Sequence, residues 1–492
     1  MKPVGGRGIA LCILAAGCLS GCALGPDYKR PHVSPPEAFR FQTTPGETVS
    51  LADAPWWEAF GDTALKALIQ DALAGNYNVR IAAARVQQAR AQAAGAKAPF
   101  YPQLGYNATA VQSKGLANIL GLSSTASSEF STLYLGGASM SWEIDLWGKI
   151  RRSSEAANAQ LLASEEGRRA VLLSLVSDVA QAYFELLELD ARLAIASSST
   201  EAYQGTFKLF QDRLEFGVAS QLQTARAEGN LAQAAATVPE IQSQIAAKEN
   251  QLSTLLGRNP GPIQRGRPLF DQEVTPSVPA GLPSALLERR PDLRRVEQEL
   301  VAANAQIGAA KALFFPQLSL TGFLGKASPE LSALTAGTST VWQAGGMIMG
   351  PLFQGGKIYQ NYKATEAAAA VAKWQYEQAV IQAFQEVSTS LAALEKLAGA
   401  ETDQARSVRA LEKSVQISND RYLYGLSSYF EILEAQQRLY PAQYTQAQIR
   451  LNRLLAYVQL YKALGGGWNL KDPQEPPTTA AATGNAPCTE KC

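Results

Sequence analysis

Apolar residues recur along this 492-residue chain with two alternating periods. Leu172, Val176, Val179, Tyr183, Leu186 and Leu193 fall at spacings of 4, 3, 4, 3 and 7, a heptad seam in which Asp190 takes the skipped position. No proline lies between Pro102 and Pro239, nor between Pro351 and Pro441. The pattern predicts long helices over about 152–214 and 220–256, and again over about 357–423 and 428–464. The first would run roughly 95 Å at 1.5 Å per residue, several times the ordinary helix. Alanine is dense at 91–98 and 367–370, which favours helix and lets neighbouring helices approach closely. A spacer coiled coil would account for these helices equally well, but not for the segments between them.

Those segments have a period of two. Tyr134, Gly136, Ala138, Met140, Trp142 and Ile144 share one face; Ser139, Ser141 and Glu143 take the other, with Leu133, Leu135 and Gly137 nearer the start. Leu318, Leu320 and Leu324 alternate with Ser319, Thr321 and Phe323, while Pro102–Val111 and Val341–Leu352 alternate less clearly. Strands are expected at about 102–112, 132–146, 316–326 and 340–352. Alternation over about ten residues is the weak signature of a membrane barrel strand. Two hairpins packed on a soluble core would show it too. The stretches Gly115–Ser128 and Ala327–Ser339, rich in Gly, Ser, Thr and Ala, read as exposed loops. Four strands cannot close, and an open edge in lipid leaves backbone groups unpaired at several kcal/mol each. Strands in a membrane therefore require several chains to share a barrel, eight strands from two or twelve from three. The alternation does not choose between them.

The two sets of elements are copies. Asn78–Leu104 lies over Asp292–Leu318 at a fixed offset of 214, ending in AQAAGAKAPFYPQL against AQIGAAKALFFPQL. At an offset of 208, Asp212-Arg213-Leu214-Glu215-Phe216-Gly217 matches Asp420-Arg421-Tyr422-Leu423-Tyr424-Gly425, and Leu256-Gly257 matches Leu464-Gly465. Repetition of this length marks a tandem duplication, with copies at 62–265 and 266–465. The tail, 466–492, is rich in Pro, Thr and Ala and reads as disordered.

The N-terminus gives a destination. Lys2 and Arg7 precede an apolar run from Ile9 to Leu19, too short to span a bilayer, so 1–21 reads as a secretory signal. Leu19-Ser20-Gly21-Cys22 resembles the bacterial lipobox, which implies cleavage before Cys22, an S-diacylglycerol on its thiol and an N-palmitoyl group. Ala23 stands where an aspartate would resemble an inner-membrane retention signal, which favours the outer membrane. The remaining 471 residues carry 42 basic and 43 acidic side chains, no footprint for a polyanion. Of five cysteines only Cys488 and Cys492 remain unassigned, in the tail. No 18 consecutive apolar residues occur after the signal, so no membrane-spanning helix is expected. His32 is the only histidine, which leaves almost no material for a His-based triad or a zinc cluster. Gly465-Gly466-Gly467 follows the last helix and reads as a terminator rather than a phosphate cradle. No catalytic residue, metal site or cofactor is expected, and energy must come from a partner.

The lipobox, the duplication and the strand–helix order resemble the outer membrane factors, the TolC-like exit ducts of Gram-negative bacteria, in the lipoprotein branch typified by OprM and CusC. The motifs that carry the resemblance are Cys22-Ala-Leu-Gly-Pro-Asp-Tyr28, Pro55-Trp56-Trp57 with Phe60-Gly61-Asp62, Asp145-Leu146-Trp147-Gly148-Lys149, Arg289-Arg290-Pro291-Asp292-Leu293, Pro316-Gln317-Leu318 and Gln354-Gly355-Gly356-Lys357. The resemblance implies a mixed α and membrane β fold: a homotrimer sharing a twelve-stranded β-barrel, four strands per chain. That barrel would continue into a long α-helical periplasmic barrel, belted by an equatorial domain that includes the lipid-anchored segment 22–61. It also implies a periplasmic adaptor and an inner-membrane pump, expected to be of the RND type. The function implied is a passive exit duct of a tripartite efflux or secretion system. The alternative is a structural periplasmic coiled-coil lipoprotein without a pore. Drugs, metal ions, oligosaccharides and peptides remain equally open as cargo.

Two places are candidates for specific work. The helix–helix turns at Arg213, Gly217 and Val218 and at Arg421, Gly425 and Leu426 read as glycine C-caps. The resemblance adds adaptor docking at the periplasmic tips. Glu431 and Glu434 lie on one side of the helix that begins near Ser427-Ser428, and Ser428-Tyr-Phe-Glu431 fits a capping box. The resemblance makes these acids the constriction of the closed pore, six carboxylates around one axis in a trimer, with Tyr422 helping to hold that state. The first copy has Gln223 and Arg226 there, and Ser427 stands where some relatives have an arginine.

Overall fold

The computed structural model describes residues 23–41, 60–114, 130–273, 283–335 and 337–466. The signal, Cys22, Pro55-Trp56-Trp57, the whole of the first expected loop and the tail with Cys488 and Cys492 lie outside the described residues. The chain runs α1 (Thr63–Gly75), α2 (Tyr77–Lys97), β1 (Gln103–Lys114), β2 (Phe130–Ile144), α3 (Lys149–Glu215), α4 (Gln221–Leu255), α5 (Pro283–Arg289), α6 (Pro291–Ala312), β3 (Gln317–Ser328), β4 (Thr340–Met349), α7 (Lys357–Leu423) and α8 (Tyr429–Ala463). Both bounds of α7 and of α8 lie 208 residues beyond those of α3 and α4, and both bounds of β3 lie 214 beyond β1. The sequence offsets are therefore offsets of whole elements.

Where element ends differ from expectation, a cap or a proline decides. The helix expected from 152 begins at Lys149, because the Asp145 carboxylate accepts from the Ile150 and Arg151 amides at 3.1 and 2.9 Å. The same cap stops β2 at Ile144 rather than 146. The strand expected to reach 352 ends at Met349, ahead of Gly350-Pro351, where proline offers no N–H to a ladder. Among the described residues α3 holds a stretch long and apolar enough to cross a membrane by length and composition alone; 61% of it is buried inside the protein. Its hydrophobicity serves the core.

The chain folds as two compact units, each drawing on both copies. The first takes the described parts of Met1–Val33, Arg80–Arg169 and Asp292–Val380. Its sheet is antiparallel in the order β1-β2-β3-β4. Register places Leu104 opposite Met140, Met140 opposite Gly322, Leu318 opposite Ile348 and Leu324 opposite Trp342. One face thus carries Leu104, Tyr106, Met140, Trp142, Leu318, Leu320, Leu324, Trp342 and Ile348, so β1 and β4, whose own alternation is faint, contribute to it, while Val111, Leu133, Leu135, Val341, Met347 and Met349 fall on the other. On that other face the Phe323 ring lies over Gly137 and Gly325, at 2.8 and 2.6 Å from where a Cβ would stand. In the same unit α3 and α6 meet through Ala156, Ala159, Ala302 and Ala305, all buried, which is the close approach that alanine permits.

An N-terminal strap binds this unit. The Leu24 amide donates to the Trp147 carbonyl at 3.1 Å, and Arg152 donates to the Leu24 carbonyl at 3.2 Å and to Asp27 at 2.7 Å. Asn304 donates to the Pro26 carbonyl, while Tyr28 and Arg30 both donate to Glu297, Arg30 through two bonds of 2.6 Å. Glycine is required where the strap crosses: a Cβ on Gly308 would stand 2.4 Å from the Leu24 carbonyl oxygen, and one on Gly148 would stand 2.7 Å from the Ala23 Cα.

The second unit takes the described parts of Ser34–Val79, Ala170–Pro291 and Ile381–Cys492. Its core includes the predicted seam, with Val176, Val179, Tyr183 and Leu186 buried against α1, α4 and α8. Phe60 packs on Phe184 and Tyr457 at 5.0 and 5.7 Å. Asp190, the polar member of the seam, pairs with Arg265 at 3.0 Å. A charge at a seam position is tolerated because its partner comes with it. Buried Arg290 donates to the Ala463 carbonyl at 3.0 Å and to Glu386 at 2.7 Å.

Candidate functional site

The two helix–helix turns, both in the second unit, are closed by the same local chemistry. Gly217 adopts φ +72° and Gly425 φ +70°. Their amides donate to Leu214 and Tyr422 at 2.9 and 3.0 Å; the amides of Val218 and Leu426 reach back to Arg213 and Arg421 at 2.9 and 2.8 Å. This double closure satisfies terminal carbonyls that the helix cannot. No atom lies within 4 Å of a Cβ built on either glycine, so conformation alone selects glycine here.

The capping box expected at Ser428 and Glu431 is not formed: the Ser428 side chain makes no cap bond. It forms in the first copy instead, where Ser220 Oγ accepts from the Gln223 amide at 3.3 Å and the Ser220 amide donates to Gln223 Oε1 at 2.9 Å. Glu431 Oε2 lies 3.6 Å from Arg421 Nε, whereas Arg213, the matching arginine of the first copy, donates to Tyr422. Glu434 Oε1 pairs with Arg438 one turn on, at 2.7 Å. Sequence reasoning missed Arg438, although its i+4 spacing from Glu434 was a legible signal.

Tyr422 joins the two copies. Arg213 donates a hydrogen bond to its hydroxyl and lies 5.0 Å from its ring centroid. Tyr422 in turn contacts the Tyr429 ring at 6.1 Å, and Tyr429 packs edge-on against Phe210 at 4.6 Å. Burial raises the Tyr429 and Tyr440 phenols and pushes Tyr203 up to about 12, so these groups stay protonated at physiological pH. The Ser427 hydroxyl is buried without a hydrogen bond. It makes no link within the chain. Phe216 and Tyr424, each just before a capping glycine, are 81% exposed, and Val218, Leu426 and Phe430 are exposed beside them. Among the described residues no group of three or more His, Cys, Asp or Glu is placed to hold a metal ion.

All these positions fall in stretches, 68–258 and 282–466, that match the family described as outer membrane efflux protein. The cation efflux system protein CusC of Escherichia coli O6:H1 is 35% identical over 464 residues, covering 94% of this chain and 98% of that protein. The toluene efflux pump outer membrane protein TtgC of Pseudomonas putida is 35% identical over 463 residues, covering 92% and 94%. In three dimensions the chain is similar to the outer-membrane channel OprN, with a TM-score of 0.84 at 30% identity over 91% of this chain and 100% of that one.

Proposed function

Because this chain belongs to the outer membrane efflux protein family and is an outer membrane efflux channel, we propose that three copies share one twelve-stranded barrel and that the helix–helix turns carry its docking and gating. One observation carries the assembly: the sheet is four strands wide, with an apolar face running across all of them and two open edges, β1 and β4. In hydrocarbon each unpaired edge group costs several kcal/mol. Pairing β1 of one copy with β4 of the next removes every edge once the ring closes, and the family resemblance selects three copies over two.

The tips at Arg213, Gly217 and Val218 and at Arg421, Gly425 and Leu426 dock the periplasmic adaptor, through apolar side chains exposed at each turn. Glu431, Glu434 and Tyr422 form the constriction of the closed duct, and the Arg213–Tyr422 contact ties the first-copy turn to it. Cys22 carries the lipid, and the described strap begins at the residue after it. An inner-membrane pump, of the RND type, supplies the energy; the duct itself is passive and performs no catalysis. The cation and toluene relatives are each 35% identical, which favours neither cargo, so selection is assigned to the pump.

Unheated electrophoresis in SDS tests this. The purified protein is expected to migrate as a trimer, to collapse to monomer on boiling, and to conduct ions in planar bilayers. A monomer in native lipid, with its strands open to water-soluble labels and no conductance, would favour the alternative, a coiled-coil spacer without a pore.

A further inference from the structure

The two acids proposed for the constriction are accompanied. Glu431 faces Arg421 at 3.6 Å and Glu434 faces Arg438 at 2.7 Å, and all four side chains are between 47% and 68% exposed. Arg421 also donates to the Leu426 carbonyl at 3.2 Å, which holds its guanidinium at the turn. The screening length at physiological salt is about 8 Å, longer than either pair. An ion passing one member of a pair therefore feels both. Wherever the axis of the duct runs, it cannot be lined by these carboxylates without the guanidiniums beside them. The first copy contributes no acid at the matching positions, which are Gln223 and Arg226.

We infer that the constriction is charge-compensated, with Arg421 and Arg438 as the residues that set its ion selectivity. In three copies each of the six carboxylates stands beside a guanidinium, so the field these acids put on the axis is largely offset by their own partners. This rests on the assignment of Glu431 and Glu434 to the constriction and deepens it. An entrance of this kind admits cargo of either sign, and neutralising one set unmasks the other. Half-exposed pairs add little to stability, so either set can be neutralised in a folded protein.

The test is the potassium-to-chloride permeability ratio of the full trimer, read from reversal potentials across a KCl gradient in planar bilayers. Wild type, Glu431→Gln/Glu434→Gln and Arg421→Gln/Arg438→Gln are compared after each is confirmed as a trimer on unheated gels. The wild-type ratio is expected within about threefold of unity, the glutamine-for-glutamate protein at least ~3-fold lower, and the glutamine-for-arginine protein at least ~3-fold higher. Should the change at Arg421 loosen the turn, Arg438→Gln alone still raises the ratio. A wild type strongly selective for potassium, with a ratio indifferent to loss of the arginines, overturns the compensation but leaves the acids in the constriction. If neither double variant alters conductance or ratio, the constriction assignment itself is refuted.

Discussion

Asp62 joins three segments of chain through one carboxylate. It caps α1 by accepting from the Ala64 and Leu65 amides, and it accepts from the Tyr183 hydroxyl and the Gln272 amide, each at 2.8 Å, and from the Arg267 backbone. Burial works to raise its pKa; the hydrogen bonds from Gln272, Tyr183, Leu65 and Arg267 outweigh burial and hold it below the usual value. A carboxyl with a depressed folded pKa contributes stability above its unfolded value and loses it as pH falls through the folded one. Asp62→Ala is expected to cost about 2–4 kcal/mol at neutral pH, and Asp62→Asn to flatten the loss of stability as pH falls below about 5. Urea midpoints across that range check both, and an unchanged acid slope in the Asn variant would exclude Asp62 as its source. At the turn, Glu431→Ala/Glu434→Ala is expected to raise single-channel conductance, because smaller side chains widen the entrance and uncompensated arginines repel one another. Unchanged conductance would remove both acids from the gate.

Among elements, glycine acts in two different ways. At Gly217 and Gly425 a methyl meets nothing, so Ala there is expected to cost only about 1 kcal/mol of left-handed strain. At Gly308 any side chain meets the strap backbone, and an adjustment of tenths of an ångström cannot relieve a 2.4 Å contact. Gly308→Val is therefore expected to unseat the strap while leaving the lipidation sequence intact. Limited trypsin digestion reads this directly, since the Lys29–Arg30 bond lies within the strap. Cleavage there should appear in the variant and be slow in the wild type; equal protection would mean that the strap has another seat.

For the whole molecule, adjacent residues on β3 separate the two faces of the sheet. Leu320 lies on the apolar face, level with Trp142 and Gly346, and Thr321 on the opposite face, level with Ser141 and Gly345. Leu320→Arg places a charge against lipid and is expected to cost about 2–4 kcal/mol, lowering the yield of heat-modifiable trimer. Thr321→Arg is expected to leave the yield near that of wild type. Equal yields would mean that the apolar face does not meet lipid.

The helices, their lengths and the duplication were determined by local sequence, because heptad spacing, proline-free runs and positive-φ glycines act within a few residues of themselves. So were the two glycine turns, whose closure uses only the last helical carbonyls. Tertiary structure decided what depends on a distant neighbour. Register with β2 and β3 gave the faint strands β1 and β4 a common apolar face, since a strand's outward side is fixed by its partners. Arg213 reached Tyr422 across 209 positions of sequence, a contact no spacing rule encodes. Ser428 and Glu431 had the pattern of a capping box and did not form one, because a folded hairpin brought Arg421 within reach of the acid. Local pattern offers a side chain its options; the charges and surfaces that the fold carries to it select among them.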